Sequence, residues 1–205
     1  METIKAIDTP YKGYRFRSRL EARWAVFLDT INLDWEYESE GYTIQYEGQY
    51  VCYLPDFYIP ALDAFLEVKG PPLNEQDKVK AEALAASTGK AVIIAQKIPP
   101  QDIIVPHFKV VIPTTYSQYF EDETESVWWD HCVLYYCYGC GRTVHLLFET
   151  ACDHTASCDC NKHIEYQAFF QRGDRVVEDG WAEGVLTLEH ALDTARGARF
   201  EFLNN

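Results

Sequence analysis

The sequence predicts a mixed α/β protein with one main domain and a small cysteine-rich appendage. A helical pattern is followed by alternating, strand-like segments, and a capped helix then leads directly into a wholly apolar strand. A length of 205 residues exceeds a typical single domain but leaves little room for two full ones. We therefore expect a first domain over residues 1–118, an acidic linker at 121–125, and a second module with a closing helix over 126–205.

The first helix is predicted over about residues 18–31. Ser18 followed three residues later by Glu21 has the pattern of a capping box, in which each residue satisfies an amide at the start of the helix. Apolar residues then recur at helical spacing: Leu20, Trp24, Phe27, Leu28 and Ile31.

Short antiparallel strands are predicted next. Residues 42–57 are rich in Tyr, Val, Ile and Phe with near-alternation, and Glu47-Gly48 is a turn signal between them. We expect residues 50–58 to form a hairpin with residues 64–69, which end at Gly70-Pro71-Pro72.

A second helix and a central strand complete the first domain. Asn74 supplies an N-cap and Gly89 a C-terminal stop, so the helix is predicted between them. The apolar run Ala91-Val92-Ile93-Ile94-Ala95 is typical of a strand buried on both faces. The order strand, helix, strand predicts a right-handed parallel crossover. Beyond it, a strand pair is expected from residues 144–148 and 166–170, with a closing helix over about 188–195.

The charge of the chain restricts how it binds nucleic acid. A net charge of −14 argues against coating nucleic acid by bulk electrostatics, so any contact must be local. The net charge is −4 over residues 1–120 and −10 over residues 121–205. Five basic residues near the first helix form the predicted phosphate contact, with a solvated helix face as the alternative: Lys12, Arg15, Arg17, Arg19 and Arg23. No apolar stretch approaches the roughly 18 residues of a membrane span, so a cytoplasmic protein is expected.

Carboxylates and one lysine form the candidate catalytic set. In Glu67-Val68-Lys69 the strand period places Glu67 and Lys69 on one face, and Asp56 can approach Glu67 across the hairpin. Two carboxylates this close require a cation, and Mg²⁺ suits them because it takes oxygen ligands and bridges them to phosphate. Lys69 could orient or help to deprotonate the attacking water, and Glu21 could complete the metal shell.

These residues resemble the motif of the PD-(D/E)XK nuclease superfamily. Leu54-Pro55-Asp56-Phe57 is followed, eleven residues after Asp56, by Glu67-Val68-Lys69-Gly70, with Glu21 in a preceding helix. The resemblance covers roughly residues 14–96 and implies an αβββαβ restriction-endonuclease-like core that cleaves phosphodiesters with Mg²⁺ or Mn²⁺. It also implies Asp56 and Glu67 as metal ligands, Lys69 at the attacking water and Glu21 as an accessory acid. The segment Arg17–Trp24 resembles the first helix of phage and bacterial members, which suggests a bacterial cell or a phage-infected host.

Two plainer interpretations compete with this one. Glu67 and Lys69 could be a surface ion pair worth little, and capping alone explains Glu21. The expected function is a divalent-metal-dependent endonuclease acting on DNA. The alternative is a catalytically idle nuclease-fold protein that binds DNA or a protein partner, as a phage accessory or counter-defence factor would.

The cysteines predict a structural zinc site. Five of the seven crowd into residues 137–160, and Cys137-Tyr138-Gly139-Cys140-Gly141 has the spacing of a zinc knuckle. We expect Cys137, Cys140, Cys158 and Cys160 as ligands, with Cys152 and His154 as alternatives to the second pair and reduced core cysteines as the alternative to zinc. Such an acidic module is suited to a protein partner, whereas Cys52 is expected in the core.

Overall fold

The computed structural model describes residues 7–101, 107–114, 126–136, 144–148 and 182–200. The strands are β1 (Thr9–Tyr11), β2 (Tyr14–Phe16), β3 (Glu36–Tyr37), β4 (Tyr42–Tyr46), β5 (Gln49–Tyr53), β6 (Phe57–Ile59), β7 (Ala64–Val68), β8 (Ala91–Ala95), β9 (His107–Pro113), β10 (Val127–Tyr136) and β11 (Val144–Phe148). The α-helices are α1 (Arg19–Thr30), α2 (Glu75–Thr88) and α3 (Ala182–Gly197), and Pro60–Leu62 forms a 3-10 turn.

A seven-stranded mixed sheet organises the described chain, in the order β11-β10-β9-β8-β7-β6-β3. Only β7 and β8 are parallel, and α2 connects them, as the sequence predicted. The other neighbours in the sheet are antiparallel. The mixed α/β class is therefore confirmed.

Alternation along the strands divides the core into two layers. On one face, Leu66 and Ile93 pack with α1 and with Leu188 and Leu192 of α3. On the other face, Phe65, Val92 and Ile94 belong to the cluster that contains Leu84 of α2 and Ile44 of β4. Glu67 lies two residues after Phe65, so its side chain belongs to the α2 face.

The caps of the first two helices were predicted correctly. Ser18 caps α1 by accepting the Glu21 N–H, and Asn74 caps α2 by accepting the Asp77 N–H at 2.8 Å. Gly89 ends α2 in the left-handed conformation at φ 66°. Among the helices of the described ranges, none is long and apolar enough to cross a membrane.

The strand predicted over residues 50–58 is interrupted, which corrects the predicted hairpin. β5 ends at Tyr53 and pairs with β4 in a separate two-stranded sheet, while only β6 pairs with β7. Pro55 lies in the break, where its missing N–H removes no ladder hydrogen bond. Cys52 is exposed, contrary to prediction, because alternation in β5 turns Val51 and Tyr53 toward the α2 layer and Cys52 away from it.

The described residues after 126 continue the same sheet and core. β10, which the sequence did not suggest, pairs with β9 on one side and β11 on the other. The predicted domain boundary at residues 118–126 thus falls in the sequence between β9 and β10, which pair with each other in one sheet. The closing helix is confirmed and is longer than expected, and it packs against α1. The linker at 121–125 and the strand predicted at 166–170 lie outside the described residues.

Candidate active site

Glu67 occupies the middle of the site and is fully buried at 0% exposure. It lies in β7 between β6 and β8, and its side chain projects from the α2 face of the sheet. Its Oε1 accepts the backbone N–H of Asp56 at 3.2 Å. Its Oε2 accepts the Tyr53 hydroxyl and lies 2.6 Å from the Lys69 ammonium. The carboxylate is thus held by three donors in a fixed orientation.

Asp56 meets Glu67 across the β6–β7 pair, as predicted. It lies at a bend directly before β6, and the register that pairs Phe57 with Leu66 brings Asp56 opposite Glu67. Its Oδ2 accepts the Val68 N–H at 2.7 Å. Burial, and next the charge of Glu67, raise the pKa of Asp56 from 3.8 to about 7, although Lys69 and the Val68 N–H act against this. Ionisation of Asp56 is therefore disfavoured first by burial and then by the neighbouring carboxylate.

Lys69 supplies the only positive charge that contacts this pair among the described residues. Its Nζ lies 2.6 Å from Glu67 Oε2 and 3.8 Å from Asp56 Oδ2. Burial lowers the pKa of Lys69, but the charges of Glu67 and Asp56 outweigh burial and raise it. Lys69 consequently keeps its proton at neutral pH, so its chemistry here is that of a cation and hydrogen-bond donor.

Tyr53 is a site residue that sequence reasoning did not identify. Its hydroxyl donates to Glu67 Oε2 at 2.6 Å and accepts from Lys69 Nζ at 3.3 Å. Burial and the nearby Glu67 raise the pKa of Tyr53, so the phenol stays neutral and remains a donor. Residues 42–58 contain several tyrosines, so nothing in the sequence distinguishes Tyr53 from the others. Tyr53 is distinguished by its position at the end of β5, where the strand breaks and its hydroxyl reaches Glu67 of β7.

Glu21 lies apart in its own hydrogen-bond network. Its Oε1 accepts the Ser18 hydroxyl at 2.7 Å, and its Oε2 accepts the Tyr37 hydroxyl at 2.7 Å and the Arg17 N–H at 3.1 Å. The Ser18 cap of the helix is thus confirmed, whereas the Glu21 side chain accepts the Arg17 N–H and the Ser18 hydroxyl instead of the Ser18 N–H that a capping box uses. The charge of Glu21 is nevertheless close enough to contribute to the raised pKa of Asp56, as the smallest of the causes.

The predicted basic patch is partly neutralised. Lys12 pairs with Asp29 at 2.8 Å, Arg15 with Asp8 at 3.3 Å, and Arg17 with Glu38 at 2.5 Å. Arg19 is exposed and Arg23 is half-buried on α1. Carboxylates thus offset three of the five basic residues, so the patch is not a uniformly positive surface.

The donors at Asp56 and Glu67 fit Mg²⁺ or Mn²⁺ by their chemistry. Mg²⁺ is commonly bound through one or two carboxylates and completed by water and substrate phosphate. Burial first, and the charge of Glu67 second, disfavour the ionised form of Asp56, and a bound divalent ion would offset both effects. Within the described ranges, no three His, Cys, Asp or Glu side chains converge as a metal-binding group, so Glu21 does not join the pair in this arrangement.

The predicted zinc ligands lie outside the described residues. Cys137 and Cys140 fall in the sequence between β10 and β11, and Cys152, His154, Cys158 and Cys160 fall within residues 149–181. The structural zinc site stays a prediction. The chain was compared with protein-family models, with characterised proteins and with solved structures, and it matches none of them.

Proposed function

We propose that the chain is a divalent-metal-dependent endonuclease that hydrolyses DNA phosphodiester bonds, with an active site of the PD-(D/E)XK type. The observation that carries this proposal is the cluster of buried Glu67 with the largely covered side chains of Asp56 and Lys69. A surface ion pair, the plainer interpretation, does not fit a glutamate with 0% exposure beside a second carboxylate whose side chain is only 13% exposed.

The trio combines two functions that phosphodiester hydrolysis needs. Asp56 and Glu67 would hold Mg²⁺ or Mn²⁺, with Glu21 as an accessory acid that has to give up its present hydrogen bonds. Bound there, the metal would lower the pKa of a coordinated water and offset charge on the phosphate. The backbone N–H of Asp56 and the Tyr53 hydroxyl keep Glu67 oriented, which reduces the reorganisation required of the site.

Lys69 is assigned to charge stabilisation and orientation. Its raised pKa makes it a poor general base at neutral pH, but a protonated ammonium can hydrogen-bond the attacking water and stabilise the growing negative charge of the phosphorane. A cytoplasmic site of action in a bacterial cell or phage-infected host and a structural zinc remain part of the proposal on sequence grounds.

A catalytically idle protein that binds DNA or a protein partner is the second candidate. The net charge of −14 and the three paired cations of the basic patch favour it, because both weaken attraction to phosphate. The two candidates differ in one outcome, which is whether a covalent bond of the nucleic acid is broken.

The test is incubation with supercoiled, linear, branched and single-stranded DNA, and with RNA, in Mg²⁺, Mn²⁺ or EDTA. We expect cleavage of at least one DNA substrate that requires Mg²⁺ or Mn²⁺ and stops with EDTA. Binding without cleavage under every condition would support the idle protein instead. Cleavage that persists in EDTA would contradict the metal-dependent mechanism.

A further inference from the structure

A row of side chains extends from the candidate active site across the sheet. The register pairs Glu67 of β7 with Ile94, Ile94 with Lys109 of β9, and Lys109 with His131 of β10. Residues paired in this way point to the same face, which here is the α2 face. Lys109 and His131 are exposed, whereas Glu67 is buried. Two strand spacings of about 4.8 Å put Lys109 roughly 10 Å from Glu67.

A cavity of about 230 Å³ opens beside this row. It is lined by Leu73, Lys78, Lys109, Trp129, Asp130 and His131. Leu73 lies in the loop that follows Lys69, and Lys78 lies in the first turns of α2, so the cavity adjoins the catalytic strand through the chain as well as through the sheet. The Trp129 indole is fixed by donating to Glu82 Oε1 at 2.6 Å.

The lining combines lysine and histidine side chains with an apolar wall and with one carboxylate, that of Asp130, which accepts the His131 backbone N–H at 2.7 Å. Lys78 forms an ion pair with Glu75, but Glu75 is 84% exposed, and such a surface pair is readily exchanged for another anion. Lys109 and His131 add two further nitrogen donors at the exposed end of the row. Trp129 and Leu73 offer apolar surface of the kind on which a sugar ring packs. A polyanion with apolar segments between its charges matches this lining.

We propose that this cavity binds the backbone phosphates of the DNA strand next to the bond that is cleaved. The inference rests on the proposed nuclease function and specifies where its substrate lies. A separation of roughly 10 Å places the bound phosphates within a few nucleotides of the scissile bond. Lys78 and Lys109 are the main contacts, and they are separate from the basic patch of residues 12–23.

The test compares the double variant Lys78→Gln/Lys109→Gln with wild type and with Lys90→Gln, a control at the opposite end of β8. DNA binding is measured by fluorescence anisotropy over a range of salt, in Ca²⁺ so that cleavage does not interfere. Loss of two phosphate contacts should reduce the slope of log K against log salt by about 1.8 on duplex or about 1.4 on single-stranded DNA. Lys90→Gln should leave the slope unchanged.

A second measurement locates the contact. Neutral methylphosphonate linkages are placed one at a time on either side of the cleavage position in the wild-type substrate. A substitution at one position within a few nucleotides of the cleavage position should weaken binding by wild type but not by the double variant. If wild type binds and cuts DNA while the double variant keeps the wild-type slope, the cavity proposal is wrong and the nuclease proposal stands. If wild type neither binds nor cuts DNA, both fail.

Discussion

Replacing Asp56 by Asn should stabilise the metal-free protein at pH 8 while abolishing cleavage. In the folded protein, burial and Glu67 raise the pKa of Asp56 from 3.8 to about 7. Between these two values the folded state holds a proton that the unfolded chain has released. The free energy of unfolding therefore falls as pH rises from about 4 to about 7. Above pH 7 the stability lost through ionisation of Asp56 stays constant. Asparagine resembles the protonated, neutral form of Asp56 and therefore avoids the cost of ionising this carboxyl group.

The magnitude follows from the size of the pKa shift. The pKa of Asp56 rises from 3.8 to about 7, and each tenfold change in its acid dissociation constant is worth about 1.4 kcal/mol. Ionised Asp56 thus costs on the order of 4 kcal/mol above pH 7, and that cost develops between about pH 4 and pH 7. The difference in unfolding free energy between Asp56→Asn and wild type should grow by roughly 2–3 kcal/mol between pH 5 and pH 8.

The assay is urea denaturation of both proteins in EDTA at several pH values. Asp63→Asn is a matched control on the same hairpin, and Asn tolerates the left-handed conformation there at φ 46°. Hydrogen bonds from Lys90 and Tyr58 lower the pKa of Asp63, so this control should lose stability at neutral pH, and the loss should vanish as pH falls below about 4. If the unfolding free energies of Asp56→Asn and wild type differ by the same amount at pH 5 and at pH 8, the reasoning is refuted.

Three further outcomes are expected. Tyr53→Phe removes a hydrogen bond to buried Glu67 and should lower the unfolding free energy by about 1.5–3 kcal/mol, measured by urea denaturation; an unchanged midpoint would contradict its positioning role. Lys69→Ala should keep DNA affinity in Ca²⁺ but abolish cleavage in Mg²⁺. The double variant Arg17→Glu/Arg19→Glu should weaken DNA binding equally for all sequences. If neither variant changes DNA binding or cleavage, the protein-partner function takes precedence. Protein purified without chelators should contain one tightly bound zinc whose removal destabilises the carboxyl-terminal part, and elemental analysis without zinc would overturn that site.

Local signals account for the parts of the fold that the sequence predicted. The helix caps at Ser18 and Asn74 act within one turn of the chain, and the apolar run 91–95 is buried on both faces because strands flank it and helical layers cover it. The approach of Asp56 to Glu67 followed from strand geometry, even though the strand containing Asp56 proved to be interrupted.

Features that depend on tertiary pairing were not predictable in the same way. β10 carries the polar pair Asp130-His131 between its tryptophans and Cys132, so its sequence shows no simple alternation, and its place follows from pairing with β9. Tyr53 has no local pattern that separates it from neighbouring tyrosines. The row from Glu67 to Lys109 exists only through the registers of three strands that lie far apart in the sequence.

The central claim is that Asp56 and Glu67, the carboxylates beside Lys69, form the site that hydrolyses DNA, and one comparison tests it most directly. Wild type, Glu67→Ala and Asp56→Ala are purified in parallel, shown to be folded, and assayed on the preferred DNA substrate in Mg²⁺. We predict that each variant loses at least about 10²-fold in turnover, the scale of removing a main electrostatic stabiliser. Full activity in either folded variant would contradict the assignment of the site.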